Sequence, residues 1–312
     1  MLLAITHHAH CPSWTLGPPS LLYRTISWNL SRILYGAGDA RFETRPSPAL
    51  QDFHDIFDRI SYVGVFGSDV HFWQHGGITG KVTKQEPLIM GHKAVGIVHS
   101  IGPSITSVQP GDRVANEPGF PCRQCRLRKS GRYNLCLNMR FAVDPPHIQG
   151  TLTPLLKIPD SLGLQEAVLV ELLSVAVHVN RLTDLRPVQS VLVLDPGTID
   201  LICAAVANAN ANAFSTTTAC IADIKAPKLD FAKTFVTCST IIPDPHSKPE
   251  QNAFRFKREY RLSEGADVET VVKISFRYAS GGYKLALEFL ASRIVAESLI
   301  SSAMPFEHAK EA

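Results

Sequence analysis

Three cysteines crowd into the stretch "PCRQCRLRKSGRYNLC" at residues 121–136: Cys122 and Cys125 form a C-x-x-C pair, and Cys136 closes the run. Thiolates at that spacing can grip one cation from a single turn, and a structural zinc ion is held by four donors in a tetrahedron. Where a further thiolate at the same spacing would stand, the chain has Arg128. A guanidinium stays protonated and offers only hydrogen-bond donors, so it cannot coordinate a metal. The loop therefore carries the chemistry of a metal site short of one ligand. Three thiolates could hold zinc with a water, against the repulsion of the neighbouring positive charge.

The chain around this loop has 312 residues, enough for two domains and a sizeable core. With 45% apolar and 19% charged residues it has the composition of a globular protein. The formal charge of +3 is small, and the basic run from Arg123 to Arg132 reads as a solvated loop. Neither nucleic acid nor a membrane is expected as a partner. No run is long enough to span a bilayer, and "MLLAITHHAHCPSW" lacks the basic lead and apolar centre of a secretory signal. Seven cysteines, three of them in one loop, do not form a disulfide framework, so a cytoplasmic location is expected.

Residues 1–32 show no sustained periodicity and read as a loosely ordered, unassigned extension. From Ile33 the texture changes to short alternating segments such as "HKAVGIVHSIG" and "GDRVANEPG", the strands of a β-rich domain. Past Ser161 the pattern lengthens, and "LQEAVLVELLSVAVHVNRL" has helical spacing. "QSVLVLDPGTIDLICAAVANANA" reads as a buried strand, a tight turn and a helix, and "ACIADIKAPKLDFAKTF" as another strand and helix. Strand, turn, helix, strand opens a parallel βαβ unit. The fold class expected is α/β, a β-rich domain followed by a doubly wound parallel sheet.

Several segments, in order, resemble the zinc-dependent medium-chain alcohol and polyol dehydrogenases. They are "VGVFGSDVHFWQHGG", "EPLIMGHKAVGIVHSIGPSITSVQPGDRVANEPG", "PCRQCRLRKSGRYNLCLNMRFAVDPPH", "VELLSVAVHV" and "SFRYASGGYKLALEFLAS". "NLCLNMRFAVDPPH" and "KLDFAK" favour the fungal xylitol dehydrogenases, or D-xylulose reductases, of the sorbitol dehydrogenase group. The resemblance implies a GroES-like catalytic domain at 33–165 and a Rossmann NAD-binding domain at 166–274. It also implies a segment at 275–312 that returns to the catalytic domain. It further implies zinc and NAD as cofactors, a small polyol as substrate, hydride transfer between the two, and a homo-oligomer, dimer or tetramer.

The family's motif residues map unevenly onto this chain. Phe66 stands at the family's zinc-binding cysteine and Lys93 at its glutamate, while His92 and Glu171 are kept, with Leu172 after the latter. His92 and Glu171 are thus the remnant of the catalytic metal site, and Cys122, Cys125 and Cys136 the remnant of the structural one. In the nucleotide-binding hexad, here "DPGTID", Gly197 and Ile199 are candidate cofactor residues, but Asp195 and Asp200 replace the outer glycines. Asp223, ending "CIAD", stands where an acid grips the adenosine ribose, and Lys228 where the family often has arginine. Glu171, Arg277 and Tyr278 match polyol-contacting positions, and Phe72 replaces a tyrosine.

Segments also look absent. "GADVETVVKISFRY" joins the middle of the Rossmann domain to a much later strand, the stretch from Thr153 to Lys157 is short, and "FEHAKEA" ends before the strand that re-enters the catalytic domain. An incomplete parallel sheet leaves apolar faces and unpaired edges, so marginal stability is expected. The resemblance leaves three readings: an NAD-dependent zinc polyol dehydrogenase oxidising xylitol to D-xylulose, a non-catalytic relative with both cofactor sites impaired, or a zinc-independent reductase of the same superfamily.

Overall fold

The computed structural model describes residues 2–6, 28–48, 50, 52–77, 80–143, 155–184, 191–212, 219–259, 275, 277–293 and 297–308. The chain divides into two compact units, Met1–Glu171 with Leu299–Ala312, and Leu172–Ser298. The divisions fall after 171 and before 299, where the sequence suggested 166 and 275. No helix among the described residues is long and apolar enough to cross a membrane.

The first unit opens with β1 (Leu2–Thr6), β2 (Trp28–Gly36), β3 (Asp39–Pro46) and β4 (Ile56–Val65), followed by α1 (Gly67–His75). Next come β5 (Leu88–Ile89), β6 (Lys93–Ile101), β7 (Arg113–Asn116), β8 (Gly119–Phe120), the short α2 (Arg126–Lys129), β9 (Arg140–Phe141), β10 (Leu155–Lys157) and the one-turn α3 (Leu164–Ala167). The chain then enters α4 (Val170–Thr183), whose first turn carries Glu171. Val98, Val108 and Val114 form a buried cluster over β6 and β7, with Ile56, Ile101 and Leu155 against it. Close approach of β4 to β6 depends on Gly96, where an added Cβ would lie 2.3 Å from the Arg59 carbonyl oxygen. Helix α1 is tied down by Phe72, which packs with Leu34, Leu88 and Val143.

The second unit carries the parallel βαβ pattern read from the sequence. Strands β11 (Val191–Leu194), β12 (Ala219–Ala222) and β13 (Ser239–Ile241) form a three-stranded parallel sheet in that order. Helices α5 (Thr198–Asn212) and α6 (Ala226–Phe235) make the crossovers, α7 (Pro249–Glu259) follows β13, and α8 (Gly282–Ala291) comes last. Central β12 is buried along its whole length, as a parallel strand covered on both faces must be. "VLVL" was expected to be equally buried, but β11 alternates, with Leu192 41% and Leu194 63% exposed. Its position explains this, because among the described residues β11 is an edge strand of that sheet. The helices are cross-linked by polar contacts: Asn180 of α4 donates to the Cys203 carbonyl on α5 at 3.2 Å, and Arg181 to the Ser280 carbonyl at 3.0 Å. Helix α8 packs close to α4: a Cβ added at Gly282 would lie 3.4 Å from the Ser174 carbonyl oxygen.

The last strand, β14 (Ile300–Pro305), belongs to the first unit, whose main sheet runs β10-β7-β6-β4-β1-β14. One expectation is corrected here. The extension 1–32 contributes "LLAIT" as β1, antiparallel to β4 and parallel to β14, and its end already belongs to β2. The stretch 275–312, expected to return to the catalytic-type domain, contributes "ISSAMP" to the first unit's sheet. Both strands are too short, and β14 too polar, for periodicity to single them out; each is a strand only through its neighbours. The join at "GADVETVVKI" and the start of the short stretch at Thr153 lie outside the described residues.

Because β1 separates β4 from β14, removing residues 1–6 should strip β14 of its partner. A loss of about 2 kcal/mol would lower Tm by about 4–8 °C for a unit of this size. Amide exchange at 300–305 should accelerate together with that loss; unchanged protection there would contradict the pairing. A second expectation concerns Asp58, half-buried on β4 and accepting a 3.2 Å hydrogen bond from Asn116 Nδ2 on β7. Burial raises its carboxyl from 3.8 to about 6, with Asn116 acting in the opposite direction. The folded state therefore holds this proton more tightly than the unfolded chain, and stability from this group falls as pH rises from about 4 to about 6. Asp58→Asn should stabilise the protein at pH 7 by on the order of 2 kcal/mol and much less at pH 4. Urea titrations at both pH values that show equal effects would refute this.

Candidate functional site

Four polar side chains of the first unit, all buried, converge on one point: Asp69 from the first turn of α1, His92 and Lys93 at the start of β6, and Glu171 from the first turn of α4. Phe66 caps α1 without a side-chain hydrogen bond, so Asp69 reaches back and accepts from the Phe66 N–H at 3.0 Å. The Lys93 side chain, 2% exposed, crosses this floor and places Nζ 2.5 Å from His92 Nε2. An ammonium can only donate, so Nε2 is the acceptor and the ring proton sits on Nδ1, facing Asp69 Oδ1 at 3.7 Å. Lys93 Nζ also lies 3.4 Å from Ser68 Oγ, 3.9 Å from Asp69 Oδ2 and 4.0 Å from Glu171 Oε2. The Phe66 ring presents its face to the ammonium, 5.2 Å from centroid to Nζ. Burial opposes ionisation of Asp69, but Lys93 and then His92 outweigh it and hold the carboxyl below its ordinary range.

The structure thus brings His92 and Glu171 together around a cation, and that cation is Lys93. Zinc requires the imidazole lone pair at about 2.0–2.1 Å. Here that lone pair is committed to an ammonium, and Phe66 supplies no lone pair at all. The residues present do not fit the catalytic zinc implied by the family. Asp69 was not singled out from the sequence. The available signal was an acid three residues after a helix start whose first residue, Phe66, cannot cap.

The thiol cluster is built differently. The Sγ atoms of Cys122, Cys125 and Cys136 all lie within 4.8 Å of one another. Backbone N–H groups point at the sulfurs: Cys125 N to Cys122 Sγ at 3.4 Å, Arg128 N to Cys125 Sγ at 3.4 Å, and Cys122 N to Cys136 Sγ at 3.5 Å. The N–H groups of Gln124 and Cys125 bring the Cys122 thiol down to about 7, whereas burial raises Cys136. Arg128 is exposed and gives the cluster its backbone N–H. This donor set fits zinc with three thiolates, leaving the fourth position to water.

In the second unit, the turn between β11 and α5 carries the nucleotide-binding candidates. Asp195 holds φ at +55°, a left-handed conformation that glycine adopts more readily. Gly197 follows, its N–H donating to the Asp195 carbonyl at 2.6 Å, and Ile199 is half-buried in the first turn of α5. The Asp200 carboxylate folds back onto this helix start: its Oδ2 lies 3.1 Å from where a Gly197 Cβ would sit. Burial raises the Asp200 carboxyl, while the N–H groups of Gly197 and Asp200 itself act to lower it. A helix N-terminus is the natural seat of a phosphate, and here an internal carboxylate takes it. Across the turn, Lys228 Nζ bridges Asp195 Oδ1 at 2.5 Å and Asp223 Oδ2 at 3.2 Å. Asp223 also accepts the Lys225 N–H at 2.6 Å, and that bond, followed by Lys228, keeps its carboxyl below the ordinary range. With its carboxylates and lysine paired to one another, the turn does not fit a pyrophosphate.

Of the polyol-contacting candidates, Glu171 lies in the Lys93 pocket, whereas Arg277 and Tyr278 belong to the second unit. Arg277 has φ +58°. Tyr278 is 1% exposed and packs edge-on against Tyr283, ring centroids 4.7 Å apart. Phe72 is a core residue of the first unit.

Residues 54–171 match the family model of the alcohol dehydrogenase GroES-like domain. The chain is 37% identical to the probable D-xylulose reductase A of Neosartorya fischeri over 337 aligned positions, covering 91% of this chain and 92% of that protein. It is 38% identical to the probable D-xylulose reductase A of Emericella nidulans, with 91% and 92% covered. Those 337 positions exceed the 312 residues of this chain by 25, so at least 25 positions of each relative face gaps here. Among solved structures, an alcohol dehydrogenase from Escherichia coli CFT073 complexed with NADH shares the fold. It has a TM-score of 0.74 at 19% identity, with 92% of this chain and 94% of that one covered. The motif order, the GroES-like domain and this likeness along both chains show that the protein belongs to the medium-chain zinc alcohol and polyol dehydrogenase family, alongside the fungal D-xylulose reductases.

Proposed function

We propose that this chain is a non-catalytic relative of the NAD-dependent xylitol dehydrogenases. It keeps the scaffold of a cytoplasmic, homo-oligomeric polyol oxidoreductase and does not carry out the hydride transfer. The observation that carries this reading is the Lys93 ammonium lodged 2.5 Å from His92 Nε2, on the histidine that matches a zinc ligand of the family. Without a metal to polarise the alcohol oxygen, the reaction loses its main stabilisation of developing charge, an effect on the order of several kcal/mol. The nucleotide turn supports the same reading independently, through Asp200 on the helix start and the Asp195–Lys228–Asp223 bridge. Glu171, Arg277 and Tyr278 are retained positions of the polyol-binding side.

Purified protein supplied with zinc and NAD should form no NADH from xylitol or sorbitol above background. Phe66→Cys with Lys93→Glu alone should not rescue it, because the nucleotide turn is a separate defect in the other unit. Robust NADH formation by the unmodified chain would overturn the proposal.

The cofactor half is tested by calorimetry. NAD should bind more weakly than millimolar, since a phosphate would have to displace Asp200 and part Lys228 from two carboxylates. Asp195→Gly with Asp200→Gly should tighten binding at least tenfold. Micromolar affinity in the unmodified chain would contradict the account of the turn.

A further inference from the structure

We infer that the thiol lobe at Cys122, Cys125 and Cys136 is an open three-thiolate zinc centre whose fourth position takes a small anionic thiol from solution. A structural zinc ion is closed by four protein donors, whereas an ion held by three keeps a position that an outside ligand can enter. The three sulfurs lie within 4.8 Å of one another, close enough to share one ion, and all three are free thiols. The backbone shows how the fourth donor was lost. The Cys125 N–H points at Cys122 Sγ at 3.4 Å, and the Arg128 N–H points at Cys125 Sγ at 3.4 Å. Residue 128 therefore stands to Cys125 as Cys125 stands to Cys122, in a turn that presents a thiolate at each earlier step. A guanidinium in that place only donates and cannot bind the ion. Arg128 is exposed, so the side of the cluster that it borders opens to solvent.

Softness and charge decide which ligand enters. Zinc in a sulfur-rich site accepts a further thiolate, as closed four-cysteine sites do. Three thiolates and Zn²⁺ leave a single net negative charge, and the loop carries far more positive charge than that. Arg123, Arg126, Arg128, Lys129, Arg132 and Arg140 are all exposed, and no acid occurs from Pro118 to Val143. Glu117, the acid just before, accepts a hydrogen bond from the Tyr133 hydroxyl. Arg123 and Arg140 both sit over the Phe120 ring, at 4.9 and 5.5 Å from its centroid. A basic loop that lacks one anion favours an anionic ligand over a neutral or cationic one. A thiol bearing a carboxylate meets both requirements, with sulfur for the ion and carboxylate for the guanidinium groups. Its thiol proton passes to solvent on binding, and no electron moves. The lobe shares no residue with the Lys93 pocket or the nucleotide turn, so the outcome is independent of whether the chain turns over xylitol.

The test uses the full chain with Co²⁺, whose sulfur-to-metal charge-transfer band reports bound thiolates, and mercaptoacetate as the thiol. The unmodified protein should bind Co²⁺ at the lobe, and mercaptoacetate should raise the band by about one third as a fourth sulfur joins three. Cysteamine, with an ammonium in place of the carboxylate, should bind about tenfold more weakly at low salt. Arg128→Cys should show the four-sulfur spectrum without added thiol and should not respond to mercaptoacetate. Cys122→Ser should lose the band, which assigns it to the lobe. Absence of sulfur-bound cobalt in the unmodified protein, a spectrum unmoved by mercaptoacetate, or a band that survives Cys122→Ser would overturn the inference. So would an Arg128→Cys variant that responds to the thiol as the parent does, or cobalt stripped from the protein by mercaptoacetate on gel filtration.

Discussion

A lysine ammonium held against an imidazole nitrogen in a buried pocket is the constraint around which the first unit's functional region is arranged. A charge in low dielectric must be paired, and breaking such a pair typically costs about 3–5 kcal/mol because the partner is left uncompensated. Lys93 faces three groups at once: Asp69 at the start of α1 at 3.9 Å, His92 at the start of β6 at 2.5 Å, and Glu171 in the first turn of α4 at 4.0 Å. Phe66 fits the same logic. A cysteine there would serve a metal; with an ammonium in the pocket, an aromatic face is the better neighbour.

The second unit solves an analogous problem with the opposite sign. Where a helix N-terminus could attract a phosphate, Asp200 supplies the anion from within, and Lys228 is held by Asp195 and Asp223. In both units a charge that an external ligand would bring is furnished by the chain. The two arrangements involve different residues in separate units, so neither follows from the other. The thiol cluster stands apart from this pattern. Its three sulfurs still gather within 4.8 Å of one another.

Much of this was legible in the sequence, and the rest was not for identifiable reasons. Replacement of donors at Phe66, Lys93, Asp195, Asp200 and Arg128 is visible as residue chemistry at motif positions. What Lys93 does was not visible: a cation beside a histidine reads as repulsion of a metal, and only geometry shows it bonded to that histidine. Lys228 was read as a nucleotide contact, and its pairing with Asp195 depends on a left-handed turn that brings residues 33 apart within 2.5 Å. Asp69 was hidden because its role is to cap a helix whose own first residue cannot. The parallel β11-β12-β13 order followed from the strand–helix alternation, whereas β1 and β14 are strands by virtue of one another and left no periodic trace.

The central claim, that His92 Nε2 is occupied by the chain's own ammonium, is tested most directly by nitrogen NMR of the His92 ring. The account predicts a neutral ring protonated at Nδ1, with Nε2 accepting a hydrogen bond, and a spectrum unchanged when stoichiometric Zn²⁺ is added. A shift of the Nε2 resonance to a metal-bound position on adding Zn²⁺ to the unmodified protein would contradict it.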